Sequence, residues 1–242
     1  IIATAFNRNH KITQEGGVIS EEYRAEYVTD RTNTFGTAFL GLTVECAKCH
    51  DHKYDPISQK EYFQLFGYFN NIAEKGLIES YGEIPQPYTT LTKSEIEESL
   101  TFINNVDTLD EIPLLVMKEL EEPRQTHILE RGLYDKPTVP VQAAVLSLGN
   151  SSKPSMENKT AKNRLDLANW LFEEKHPLTA RVVVNRIWKQ FFNRGLVASS
   201  YAFGNQGALP SHPELLDHLA LKLQKDDWNL HQLIRYIVSS ST

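Results

Sequence analysis

Apolar residues at Phe35, Phe39, Leu42, Cys46 and Cys49 recur at intervals of three and four, a period that predicts a helix, or two, over residues 20 to 50. The pattern breaks at Asp51-His52-Lys53-Tyr54-Asp55-Pro56, because the residue before a proline avoids the helical region. Ser58 followed three residues later by Glu61 then reads as a capping box, opening a helix from about 59 to 71. That helix carries Tyr62, Phe63, Phe66, Tyr68 and Phe69, an aromatic wall suited to a core. Prolines at 85, 87, 113, 123, 137 and 140 then cut the chain into short pieces. Strands are expected at Leu114–Leu120 and Thr126–Glu130, with a short helix at Lys93–Asn104. Residues 149 to 162 are polar and read as a linker. Beyond them the period is helical throughout. Asn163–Glu174 and Thr179–Asn193 are expected as helices, the second closed by Gly195; Pro213 opens a third at Glu214–Lys225, and Leu230–Ser240 makes a fourth.

The fold class expected is therefore mainly α with a small β element in the middle. Four segments follow: a helical region over 1–74, short strands and a short helix over 75–148, a linker over 149–162 and a helical bundle over 163–242. With 242 residues and 40% hydrophobic content, the chain can bury one large core or two small ones. Net charge is −6 with acids and bases interspersed, so no basic stripe argues for nucleic acid. No apolar run is long enough for a membrane span. The chain opens on an apolar stretch at Ile1 and closes soon after a helix, and we read it as an internal fragment.

The chemistry is concentrated in Cys46-Ala47-Lys48-Cys49-His50, which uses both cysteines of the chain. Cys-x-x-Cys-His is the pattern for covalent attachment of haem c, in which two thioethers hold the porphyrin and the histidine ligates the iron. On a regular helix, positions 46, 49 and 50 share one face. Three other readings compete. A structural zinc site would need two more ligands from the eight histidines, a dithiol redox site would need a βαβ setting, and two inert buried cysteines would need nothing further. Asp51, Asp55 and Glu61 are too few and too interrupted to argue for calcium.

Two blocks of sequence carry a resemblance. The first runs through Phe6-Asn7-Arg8-Asn9-His10, Glu15-Gly16-Gly17-Val18-Ile19, Leu40-Gly41-Leu42-Thr43 and Cys46 to Ser58. The second runs through Leu178-Thr179-Ala180-Arg181, Asn185-Arg186-Ile187-Trp188, Gly195-Leu196-Val197 and Pro210-Ser211-His212-Pro213-Glu214. Together they resemble the planctomycete-type cytochrome c proteins, in which a haem-motif domain of unknown function precedes a helical domain of unknown function. The resemblance implies an exported protein of the periplasm or cell envelope, carrying haem c on Cys46 and Cys49 with His50 as proximal ligand. It would pass electrons to a redox partner in the envelope, and a signal sequence would lie upstream. Within the family-like Asn-Arg-Asn-His segment, His10 is preferred as distal ligand over Met117 and His127. The chain departs from the family at Glu45, where glycine is usual, and at Ala202, where an acid is usual.

Two further functions stay open. One is a haem-dependent envelope oxidoreductase acting on a small, carbohydrate-derived substrate, and the other a haem-less zinc-binding or scaffolding module. Arg8, Arg31, Arg181 and Arg186 are candidates to clasp propionates or an anionic substrate, since guanidinium forks match carboxylates. Their other reading is a set of structural salt bridges. The C-terminal bundle is expected to pack against the haem region, because amphipathic helices of this length need a partner surface.

Overall fold

In the computed structural model, residues 2–99, 111–148 and 163–241 are described. The protein is mainly α with two small antiparallel strand pairs. The helices are α1 (Ser20–Phe35), α2 (Gln59–Asn70), α3 (Lys93–Ser99), α4 (Arg164–Leu171), α5 (Thr179–Phe192), α6 (Pro213–Lys225) and α7 (Leu230–Val238). The strands are β1 (Tyr88–Thr92), β2 (Glu111–Leu115), β3 (Thr126–Leu129) and β4 (Pro137–Val141). The expected linker, 149–162, lies outside the described residues, as do the last residues of the helix expected at 93–104.

Two compact units form, and they do not follow chain order. One comprises 1–31 and 69–125, the other 32–68 and 126–242. In the first, β1 pairs with β2 and α3 follows β1, opened by Thr92, whose hydroxyl accepts from Glu95 N while Glu95 Oε2 accepts from Thr92 N at 2.9 Å. Tyr27 ties distant backbone together here: its hydroxyl accepts from Thr13 N at 2.8 Å and donates to Gly76 O at 2.9 Å. Met117 is buried beside this frame, its N–H donating to Thr4 Oγ1 at 2.9 Å.

In the second unit, α5, α6 and α7 pack around Val184, Trp188, Leu216, Leu219, Leu223, Leu233 and Ile237. The spacing of Leu216, Leu219, Ala220 and Leu223 puts one face of α6 into this core. The aromatic wall of α2 is core as well, with Tyr62 and Phe63 fully buried. The Ser58–Glu61 capping box forms, and Glu61 does double duty. Its Oε2 accepts from Ser58 N at 2.9 Å and its Oε1 from Ser147 N at 3.0 Å. Burial would raise the Glu61 carboxyl, but the bonds from Ser58 and Ser147 outweigh it and hold its pKa below the usual carboxylate range.

Three expectations are corrected. The strand expected at Leu114–Leu120 is Glu111–Leu115, and β1 and β4 were not expected. Both sheets are two-stranded, so every strand is an edge and tolerates Pro113, Pro137 and Pro140. The stop of α5 is Asn193, at φ 60°, rather than Gly195. Gly195 serves a close approach instead: a Cβ there would fall 2.6 Å from Asn185 Oδ1, which accepts from Val197 N at 2.8 Å.

The start of α5 depends on His176. Its Nδ1 accepts from Leu178 N at 3.3 Å and Thr179 N at 3.2 Å, capping the helix from just outside it. The ring stacks edge-on against Trp170, and burial pushes its pKa down to about 4. The unfolded chain therefore binds a proton that the folded chain refuses between about pH 6.5 and 4, and stability falls with falling pH across that window. His176→Asn keeps a capping oxygen without the titration. Its stability should lose this acid slope, at most about 1.4 kcal/mol per pH unit, when urea midpoints are compared at pH 7, 6, 5 and 4.

Candidate functional site

The helix expected to deliver the cysteines ends early. After α1 stops at Phe35, a single wide turn over Gly36–Leu40 closes with Leu42 N donating to Gly36 O at 3.0 Å, and Gly41 takes φ 62°. Gly36 has no room for a side chain, since a Cβ would sit 2.9 Å from a Val44 methyl. The chain thus folds back on itself, and the cysteines lie on a short 3-10 turn, Glu45–Lys48, with Cys49 as its last cap. The shared helical face expected for 46, 49 and 50 is not formed, because the glycine-mediated reversal replaces the continuing helix.

Cys46 and Cys49 are reduced and exposed, and His50 is exposed beside them. His50 Nδ1 sits 2.7 Å from Asp51 O, so Nδ1–H donates to that carbonyl and Nε2 is left as the ring's lone-pair nitrogen. Metal-ligating histidines use the same arrangement, in which a backbone carbonyl fixes the tautomer. Cys49 Sγ donates to Arg131 O at 3.3 Å, at the tip of the β3–β4 hairpin. Gln59 Nε2 bridges the motif and the hairpin, donating to Lys48 O at 3.0 Å and Leu129 O at 3.2 Å. Among the described residues, no group of three or more His, Cys, Asp or Glu converges to hold a metal ion.

His52 is used locally. Its Nδ1 accepts from Asp55 N at 2.8 Å, and its Nε2 is buried with no hydrogen-bond partner among the described residues. Asp55 Oδ1 in turn accepts from Asn205 N at 2.6 Å, and Asn205 Nδ2 donates to Tyr54 O at 2.6 Å.

The arginine candidates separate into two groups. Arg181 and Arg186 belong to the second unit and are held there: Arg181 pairs with Asp217 at 2.6 Å and donates to Pro177 O, while Arg186 donates to Thr37 O at 2.7 Å and to Ala38 O. Asn185 forms a reciprocal pair with Val197, its Nδ2 donating to the carbonyl at 3.0 Å. Arg8 and Arg31, in the first unit, converge on a residue that the sequence reading passed over, Glu74. Its Oε1 lies 3.0 Å from Arg8 Nη1, 2.6 Å from Arg31 Nη2 and 3.0 Å from His10 Nε2. No local pattern announces Glu74, which lies 43 residues beyond Arg31.

This cluster is buried and carries two guanidiniums against one carboxylate. Arg8 Nε, Arg31 Nη1 and Glu74 Oε2 have no hydrogen-bond partner among the described residues. Burial would raise the Glu74 carboxyl, but the His10 contact and the Arg31 and Arg8 charges outweigh it and hold its pKa below the ordinary range. Burial, helped by Arg31, lowers the pKa of Arg8. His10, the expected distal ligand, has its other nitrogen 2.8 Å from Lys11 O, so ligating iron would require it to release Glu74 or that carbonyl. Met117 is buried and His127 half-buried in β3. A separate concavity of about 240 Å3 lies among Trp188, Leu215, His218, Leu219 and Tyr236 in the bundle, with His218 Nε2 3.1 Å from Tyr236 Oη.

With this geometry in hand, two family models match the chain. Residues 1–74 match PSCyt2, a protein of unknown function (DUF1549), and residues 163–242 match PSD1, a protein of unknown function (DUF1553). Both describe domains of unknown function in planctomycete cytochrome-c-like proteins. They are the same two blocks that carry the resemblance. No curated protein and no solved structure matches the chain. Among the described residues, no helix is long and apolar enough to cross a membrane.

Glu74→Gln would leave two buried guanidiniums without a countercharge. Removing one partner of a buried ion pair costs about 3–5 kcal/mol, and a loss of that size is expected in urea unfolding at pH 7. Because the Glu74 pKa is lowered on folding, its contribution is present above the ordinary carboxylate pKa and fades as pH falls through the folded value. The gap between wild type and variant should therefore shrink with acidification.

Proposed function

We propose that this chain is part of an exported electron-transfer protein of the cell envelope, with haem c bound through Cys46 and Cys49 and His50 as the proximal iron ligand. The observation that carries the reading is the His50 ring. Its Nδ1–H is spent on Asp51 O, which leaves Nε2 as the nitrogen available to ligate, and two unbridged, exposed thiols precede it in the motif. These residues fit the group: each thiol could add across a vinyl substituent, and with Nδ1–H on Asp51 O, His50 would hold the iron through Nε2. When bound, the haem would supply one-electron redox chemistry. Glu45 adds an exposed carboxylate one residue before Cys46 and favours a lower potential by stabilising the more positive oxidised state. Covalent haem attachment would favour an exported protein of the periplasm or envelope, where an unidentified redox partner would exchange electrons with it.

The engagement of both His10 nitrogens favours a second reading, in which the sixth position stays open and the protein is a haem-dependent oxidoreductase of a small, carbohydrate-derived substrate. Co-expression with haem-attachment machinery and a pyridine haemochrome spectrum test the first claim. One covalent haem per chain is expected, with Cys46→Ala and Cys49→Ala each lowering the yield and the double variant abolishing it. A colourless wild-type protein would refute haem binding and return the motif to a scaffolding role. Among coloured outcomes, a low-spin ferric spectrum unmoved by cyanide or azide supports electron transfer. Ready ligand binding supports the open site.

A further inference from the structure

Within the second unit, the segment bearing the motif is gripped on both sides by residues of the C-terminal family domain. On the N-terminal side, the Arg186 guanidinium from α5 donates to Thr37 O and Ala38 O, carbonyls of the wide turn. At the reversal, Phe203 N donates to Gly41 O at 2.7 Å, and the Phe203 ring lies so close to Gly41 that a Cβ there would be 2.8 Å from it. On the C-terminal side, the Asp55 carboxylate accepts from Asn205 N, and Asn205 returns a bond to Tyr54 O. Gly204 has no room for a side chain, because a Cβ would fall 2.6 Å from the Asp55 carboxyl carbon. Asp55 also anchors the motif side through its own N–H on His52, two residues beyond His50.

We propose that the C-terminal domain is the scaffold of the Cys-x-x-Cys-His turn, with Asp55, Gly204 and Arg186 acting as positioning residues for Cys46, Cys49 and His50. The chemistry favours this over incidental packing. Every bond in the grip is made to a backbone group or a buried carboxylate, so it fixes where the chain runs rather than which side chains touch. The turn buries Val44 and Ala47 but leaves Cys46, Cys49 and His50 exposed, and exposed turns are otherwise drawn from the low-stability end of a fold. The inference deepens the haem reading by saying what holds the attachment site in shape, yet it can be tested without haem.

The test uses the full chain, reduced and haem-free, with amide hydrogen exchange and the alkylation rate of each cysteine by iodoacetamide as readouts. Asp55→Ala and Arg186→Ala should each speed exchange across residues 36–58 by about tenfold, and release of Cys49 from Arg131 O should raise its alkylation rate about threefold. Asp55→Asn retains the Oδ1 acceptor and should stay near wild type. Leu233→Ala, which removes a buried side chain of the bundle core that makes none of the grip's hydrogen bonds, should lower overall stability without changing exchange at 36–58 selectively. If Asp55→Ala does not fold, Arg186→Ala decides. Flat readouts, an equal local effect in Leu233→Ala, or failure of Asp55→Asn to rescue would overturn the proposal. The haemochrome result is independent: a colourless wild type sinks the haem reading alone, and flat exchange data in a haem-binding chain sink the scaffold alone.

Discussion

The reversal between Phe35 and Val44 is the constraint from which the rest of the site follows. A helix continuing past Phe35 would have carried the cysteines away along its axis at about 1.5 Å per residue. Instead Gly36 admits the Val44 side chain against its bare α-carbon, and Gly41 adopts the left-handed conformation that ends the wide turn. Only glycine fits both demands, since one position lacks space for a Cβ and the other has φ 62° as well as Phe203 against it. The carbonyls of residues 37, 38 and 41 accept donors from outside the segment. Buried or half-buried carbonyls need donors, and those donors come from Arg186 and from Phe203 N. The reversal and the C-terminal domain therefore answer each other's requirements.

Much of the architecture was legible because helices write their period into the sequence. The Ser58–Glu61 box, the aromatic face of α2 and Pro213 at the start of α6 are local signals, and each corresponds to what forms. The strands were harder. β1 and β4 carry no clean alternation, and Pro137 and Pro140 argue against a strand until one knows that the sheet has two members and no interior. The end of α1 was misread for a related reason: Phe39 and Leu42 keep the helical spacing, while the two glycines that break it announce no particular partner.

The candidate site was legible in its chemistry and not in its supports. Cys46, Cys49 and His50 are adjacent and speak for themselves. Asp55 and Asn205 lie 150 residues apart, and Arg186 and Thr37 lie 149 apart, separations at which no periodicity helps. The same holds for the buried charge cluster. Arg8, His10 and Arg31 stand out in the sequence as ligand-binding groups, and the structure supplies an internal partner, Glu74. An anion clasped within the fold looks, in sequence, the same as a cation waiting for a ligand.

That distinction bears on how the two family blocks relate. The compact units cut across the blocks: residues 1–31 of the first block belong to one unit, whereas 32–68 share the other unit with the whole second block. A boundary drawn from sequence similarity records where substitution patterns change, and a physical boundary records where buried contacts and satisfied hydrogen bonds stop. Here the motif turn depends on a carbonyl-binding arginine and a carboxylate-binding loop that lie in the other block. Each block alone would expose unpaired backbone groups at the point where the chemistry resides. The presence of both blocks in one chain thus has a mechanical reason: the second block supplies the hydrogen-bond donors that the turn of the first cannot supply to itself.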